Sequence, residues 1–188
     1  IAFFLLSAAI VPLALRRSAL TARQKKLLIA AIVVSVAAKM ALASLGHNLD
    51  VESYQIVSGL MEQGKSVYAN TERYNYGPIW AFVVSGLAWL SRLIGWDAGE
   101  GFHVLVAAFL AATDVLIGLA LVMAYSHAAA VVFLLAPIGL LISGFHSQFD
   151  NAAVLCALLA WLMIRGGRPR AAALAVSAGL TGLSLIVK

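Results

Sequence analysis

The chain has 188 residues and a formal net charge of +5. Hydrophobic residues make up 63% of it and charged residues only 11%, with a mean hydropathy of +0.97, whereas an average soluble domain is about a quarter charged. One soluble core of this size cannot hide so much apolar surface, and most cations sit in two clusters beside apolar runs, where they set topology; the composition therefore excludes a soluble globule and gives no sign of a nucleic-acid partner.

The apolar runs are continuous, not alternating, which predicts membrane helices and not barrel strands. In chain order they fall at about 1–15, 27–45, 78–95, 103–124, 128–145 and 152–164, with a seventh at about 171–187, against the roughly 20 apolar residues that a bilayer-spanning helix needs. The expected class is all-α: a polytopic transmembrane helical bundle with an amphipathic helix in its outer-face loop, residues 1–188 forming a single transmembrane domain. The chain opens at Ile1 inside one apolar run and ends at Lys188 just after another, so a fragment of a longer module is expected. The single cysteine, Cys156, permits no internal disulfide.

The first link carries Arg16, Arg17, Arg23, Lys25 and Lys26, and the positive-inside rule places it in the cytoplasm. Segment 27–45 then leads outward, and the polar stretch of about 46–77 lies on the outer face. Arg165, Arg168 and Arg170 form a second basic cluster, also expected in the cytoplasm. The apolar segments between loop and cluster are even in number, so one of them must fail to cross fully. Segment 128–145, interrupted by Pro137, Gly139 and Gly144, is the expected broken or re-entrant one; the alternative is that the charge rule fails here.

Within the outer loop, Val51, Tyr54, Val57 and Met61 recur at helical spacing, which predicts an amphipathic helix over 50–63 lying in the membrane interface, stopped by Gly64. Asp50 and Glu52 then sit at headgroup level. Asp50 is a candidate catalytic carboxylate or, alternatively, the helix N-cap. Arg73, with Glu72 and Tyr76 nearby, can bind phosphate or snorkel to lipid headgroups. Lys39 is expected to snorkel. Asp114, inside an apolar run, is a functional candidate or a bond between helices. His103 and His127 are expected at the interface.

The order of these elements resembles a family. A membrane helix is followed by Asp50-Val-Glu52 at the start of an outer amphipathic helix, then by Gly64-x-x-x-Tyr68, then by Gly77-Pro78 opening the next helix, and later by His146-Ser-Gln148-Phe149-Asp150-Asn151. This is similar to the C-type polytopic glycosyltransferases that use dolichyl- or polyprenyl-phosphate sugars. Among them it looks closest to the glucosyltransferases of lipid-linked oligosaccharide assembly in the endoplasmic reticulum. The resemblance covers about residues 46–165. The chain departs from those relatives at Val51, Tyr54-Gln55, Gly77, Ser147 and Asp150, and in the additional segment 1–15.

The resemblance implies an inverting hexosyltransferase with Asp50 as general base. It implies substrate contacts from Glu52, Arg73, Tyr76, His146, Gln148 and Asp150, and as partners membrane lipid, a polyprenyl-phosphate sugar donor and a sugar or protein acceptor. In the glucosyltransferase-like branch no cofactor or metal is needed. In the oligosaccharyltransferase branch carboxylates hold a divalent ion, which Asp50 with Asp150 would mimic, so a metal stays open. The alanine-rich composition points to a multi-pass protein of a bacterial cytoplasmic membrane, with its site on the outer face. Two other readings compete: a transporter or channel whose pathway is lined by Asp114 and residues 146–151, and a non-catalytic membrane scaffold.

Overall fold

The computed structural model describes residues 20–96 and 99–165, with the helical residue Gly179. The expected segments 1–15 and, apart from Gly179, 171–187, with Arg16, Arg17, Arg168 and Arg170, lie outside the described residues. Within them all regular structure is helical.

Helix α1 spans Ala22–Ser44. It begins five residues before the apolar run because Thr21 and Gln24 form a capping box: the Thr21 hydroxyl accepts from the Gln24 backbone N–H at 3.3 Å, and the Gln24 side chain accepts from the Thr21 N–H at 2.9 Å. Arg23, Lys25 and Lys26 are thus part of the first helical turns and not of a link. Helix α2, Leu49–Glu62, realises the expected amphipathic helix. Gly64, at φ +65°, ends it, with the Gly64 and Lys65 N–H groups bonded to Met61 and Leu60 carbonyls. Its apolar face, however, is turned into protein: Val51, Tyr54 and Val57 are fully buried in a core with Trp80, Phe102 and Phe149. Packing on neighbouring helices removes the same apolar surface from water that a lipid interface would have.

After the short helix α3, Val67–Asn70, helix α4 covers Pro78–Leu93. Pro78 occupies its first turn, where the missing N–H costs nothing. Helix α5, Glu100–Ala124, is the long central helix. Helix α6, His127–Leu135, meets α7, Pro137–Leu141, at Ala136. Pro137 removes a backbone donor there, and the path bends by 54° before running through a π-helical turn, Ile142–His146. Helix α8, Asp150–Arg165, closes the described region. Two helices, α1 and α5, are long and apolar enough to cross a membrane, and the bent α6–α7–π path makes a third if taken as one span.

Side-chain contacts order these helices along one axis. At one end, Gln24 of α1 meets His127 of α6 at 3.2 Å, and Tyr125 stacks on Trp161 of α8. At the other end, Asn48 meets His146 at 2.9 Å and His103 of α5 meets Ser147 at 3.0 Å. Helices α1, α5, α6–α7–π and α8 therefore each run from end to end. Helix α4 does not. It packs with α2 against the first half of α5, from Phe102 to Leu110. Its start, Trp80, stacks on Phe149, and its last turn, Arg92, pairs with Glu62 of α2 beside Phe102. At 16 residues each, α4 and α8 are both about 24 Å long, short of the roughly 30 Å of a bilayer core; what separates them is that α8 reaches both ends of the bundle and α4 does not.

Segment 128–145 is broken at Pro137 as expected, and its path reaches both ends of the bundle, whereas α4, within 78–95, lies along one half of it. Helix α8 brings Trp161 to the end of the bundle that Gln24 and His127 mark.

Two further expectations change. Lys39 does not snorkel: its ammonium lies 2.6 Å from Asp114 Oδ2, with both side chains 2% exposed. Asp114 is the helix-to-helix bond of the two readings, tied also to Ser143 and Asn151. His103 is not interfacial but buried, 1% exposed.

Candidate functional site

Two segments 98 residues apart in sequence build the site. The first is the start of α2. Asn48 is extended, and its side-chain oxygen accepts from the Asp50 backbone N–H at 3.1 Å, which is the geometry of a helix N-cap. The cap is therefore Asn48 and not Asp50. The Asp50 carboxylate is left to other partners, at a helix start where the peptide dipoles favour negative charge.

The second segment is the turn between the π-helical turn and α8. Ser147 takes the left-handed conformation, φ 53°, uncommon for any residue but glycine. Three contacts hold it. Its hydroxyl lies 3.0 Å from His103 Nε2, its carbonyl accepts from the Tyr54 hydroxyl at 3.4 Å, and the following N–H, of Gln148, donates to Ile142 O at 3.1 Å. This reversal presents the Gln148 side chain to α2.

The segments meet on one oxygen. Asp50 Oδ2 accepts from Gln148 Nε2 at 2.7 Å and from Asn48 Nδ2 at 2.8 Å. The same Asn48 amide lies 2.9 Å from Nδ1 of the exposed His146. Asp50 itself is half-buried, and its Oδ1 makes no hydrogen bond among the described residues. A carboxylate oriented through one oxygen by two neutral amides, with the other oxygen free, can accept a proton from a bound hydroxyl without losing its position.

An aromatic floor underlies this group. Trp80 and Phe149 stack at 4.4 Å with an 18° interplanar angle, Tyr54 sets its edge on Trp80 at 5.4 Å, and Tyr76 meets Phe149 edge-on at 4.8 Å. Burial, and after it the charge of Asp50, raises the Tyr54 hydroxyl well above the usual phenol range. Burial, then Tyr68, does the same to Tyr74, which donates to Gly77 O at 2.7 Å. Both are neutral donors at neutral pH.

Of the residues singled out in the sequence, the structure gathers Asp50, Gln148 and His146, with Tyr76 beneath them against Phe149. Glu52 and Arg73 pair with each other at 3.2 Å, both about half exposed, and Arg73 also donates to Leu49 O at 3.3 Å. That pair ties the 71–77 loop to the start of α2. Asp150 opens α8 and is half-buried; its carboxylate is not among the groups on Asp50. Among the described residues no three His, Cys, Asp or Glu side chains gather as a metal-binding set. The sequence reading assigns no part in the site to Asn48, His103 or Ser147. Asn48 had a signal, an Asn directly before an amphipathic run; the other two are brought in by tertiary packing alone. Compared with known proteins, the chain matches no family model, no curated protein and no solved structure.

Proposed function

We propose that this chain is the site-bearing part of a polytopic membrane glycosyltransferase, which transfers a sugar from a polyprenyl-phosphate donor to an acceptor hydroxyl. In this reading α1, α5, α6–α7–π and α8 cross the bilayer. The end carrying Arg23 and Arg165 faces the cytoplasm, as the positive-inside rule asks. The end carrying Asp50 faces outward, and the membrane is a bacterial cytoplasmic membrane.

The observation that carries the proposal is the bond from Gln148 to Asp50. The two short motifs whose joint order suggested the family, around Asp50 and around His146, meet on one carboxylate oxygen. In the proposed reaction the acceptor oxygen bonds to the anomeric carbon as the bond from that carbon to the phosphate oxygen breaks. The acceptor proton passes to Asp50, and the lipid phosphate leaves with the electron pair, inverting the configuration. A carboxylate is ordinarily ionised at neutral pH and suits this role. The leaving phosphate needs donors; His146, exposed beside Asp50, is placed to be one, and Arg73, already engaged by Glu52, is a second at the rim.

The transport reading has less support. Asp114, its central residue, has both oxygens engaged by Lys39, Ser143 and Asn151, which leaves no free carboxylate for a passing ion. The test is a transfer assay of the full-length protein with labelled polyprenyl-phosphate hexoses. Labelled acceptor with released polyprenyl phosphate is expected; uptake of a solute into vesicles, with no transfer from any donor, would overturn the proposal.

A further inference from the structure

We infer that the buried Lys39–Asp114 pair is a positioning device for the Asp50 site, holding at both ends the strap that carries Gln148. The inference rests on the reading of Asp50 as the reacting group.

The strap is residues 144–150. Ser143 stands just before it and Asn151 just after it. Both bond to Asp114: the Ser143 hydroxyl donates to Oδ2 at 2.7 Å, and the Asn151 amide donates to Oδ1 at 2.5 Å. The Asn151 amide also lies 3.0 Å from Ser143 Oγ, which closes the base of the strap. Lys39 Nζ occupies the remaining face of Oδ2 at 2.6 Å and donates to Ser35 at 3.1 Å. The π-helical turn is pressed on α1 at the same level: a Cβ on Gly144 would stand 3.0 Å from both Cα and O of Lys39. The strap's apex bears Ser147, bonded to His103, and Gln148, bonded to Asp50. A shift of Asp114 therefore moves both feet of the element whose apex orients the carboxylate.

Stability alone does not account for this chemistry. Apolar side chains of equal volume would hold α1 to α5 as well or better than a buried ion pair. They would not offer two oxygens to the strap. A carboxylate does, and Lys39 supplies the counter-charge that makes it tolerable in an apolar bundle. The π-helical turn adds a second reason, since such turns recur where a helix is re-aimed for a functional purpose.

The test uses the full-length protein with Cys156→Ser, and Asn48→Cys with His146→Cys joined by a short bifunctional maleimide; the cross-linking rate reports the seating of the strap on α2. Transfer kinetics are read separately with Asn48 and His146 intact. Asp114→Ala and Lys39→Met are expected to cross-link several-fold more slowly, and to lose about 10²-fold in kcat at unchanged KM, the loss typical of an ångström of misplacement. The double variant Lys39→Met with Asp114→Asn should recover both, because the carboxamide still accepts from Asn151 and donates to Ser143 with no charge left alone. Cross-linking at the parent's rate in the folded single variants would overturn the inference. Where those variants do not fold, Ser143→Ala with Asn151→Ala replaces them: slower cross-linking supports the inference and the parent's rate overturns it. If the parent protein transfers no sugar, the transferase reading fails while the cross-linking rates still decide the positioning role.

Discussion

Gln148 Nε2 donates to Asp50 Oδ2 at 2.7 Å, joining the start of α2 to the turn that precedes α8. Nothing local explains it: a left-handed serine, Ser147, aims Gln148, and an N-cap, Asn48, frees Asp50. A hydrogen bond to a charged group is worth about 1.5–3 kcal/mol. Gln148→Ala is therefore expected to lower transfer by about 10- to 100-fold if that energy is expressed in the transition state. Gln148→Glu should be worse, since it sets a second carboxylate against the first. Steady-state kinetics of the two variants check the order.

Helix α4 should have both ends on one side of the membrane. In a Cys156→Ser background, Asn75→Cys and Ile94→Cys are expected to react with an impermeant thiol reagent from the same side, and Arg23→Cys and Tyr125→Cys from the other. Labelling of positions 75 and 94 from opposite sides would make α4 a full span.

Gly144 sits where a side chain would strike the Lys39 backbone, 3.0 Å from its Cα and O. Gly144→Ala forces the π-helical turn from α1, and overpacking of this kind typically costs about 1–3 kcal/mol. A lowered thermal midpoint is expected. Gly59→Ala, on the open side of α2 with no atom within 4 Å, should be neutral or stabilising, by up to about 1 kcal/mol from helix propensity.

Alkaline pH should destabilise the fold through Tyr54. Its hydroxyl is raised in the folded protein by burial and by Asp50, while the unfolded chain titrates near 10. The folded state then holds the proton more tightly, so this contribution is fully present below about pH 10 and is lost as pH rises above it. Tyr54→Phe should flatten the alkaline limb of a stability–pH curve. An unchanged slope between about pH 10 and 12 would count against a buried Tyr54.

Much of this arrangement was legible in the sequence. The spacing of Val51, Tyr54 and Val57 located α2, and Gly64 its end. The order of the motifs around Asp50 and His146 anticipated their meeting. Three features were not legible. Apolar content cannot tell a helix surrounded by lipid from one packed on its neighbours, so the sequence marks 78–95 as an apolar segment without showing that its partners are α2 and the first half of α5. Lys39 read as snorkelling because its counter-charge, Asp114, is 75 residues away. Asp50 and Asn48 are both good caps, and only the geometry assigned the role to Asn48.

That assignment sharpens the most direct test, the transfer rate of full-length Asp50→Asn. Because Asn48 is the cap, Asp50 is not needed to start α2, and a carboxamide still fills the space between Asn48 and Gln148. The variant should fold and bind donor like the parent, and should lose about 10²–10⁴-fold in transfer rate, the usual contribution of a general base. Transfer at the parent's rate by the folded variant would contradict Asp50 as the base.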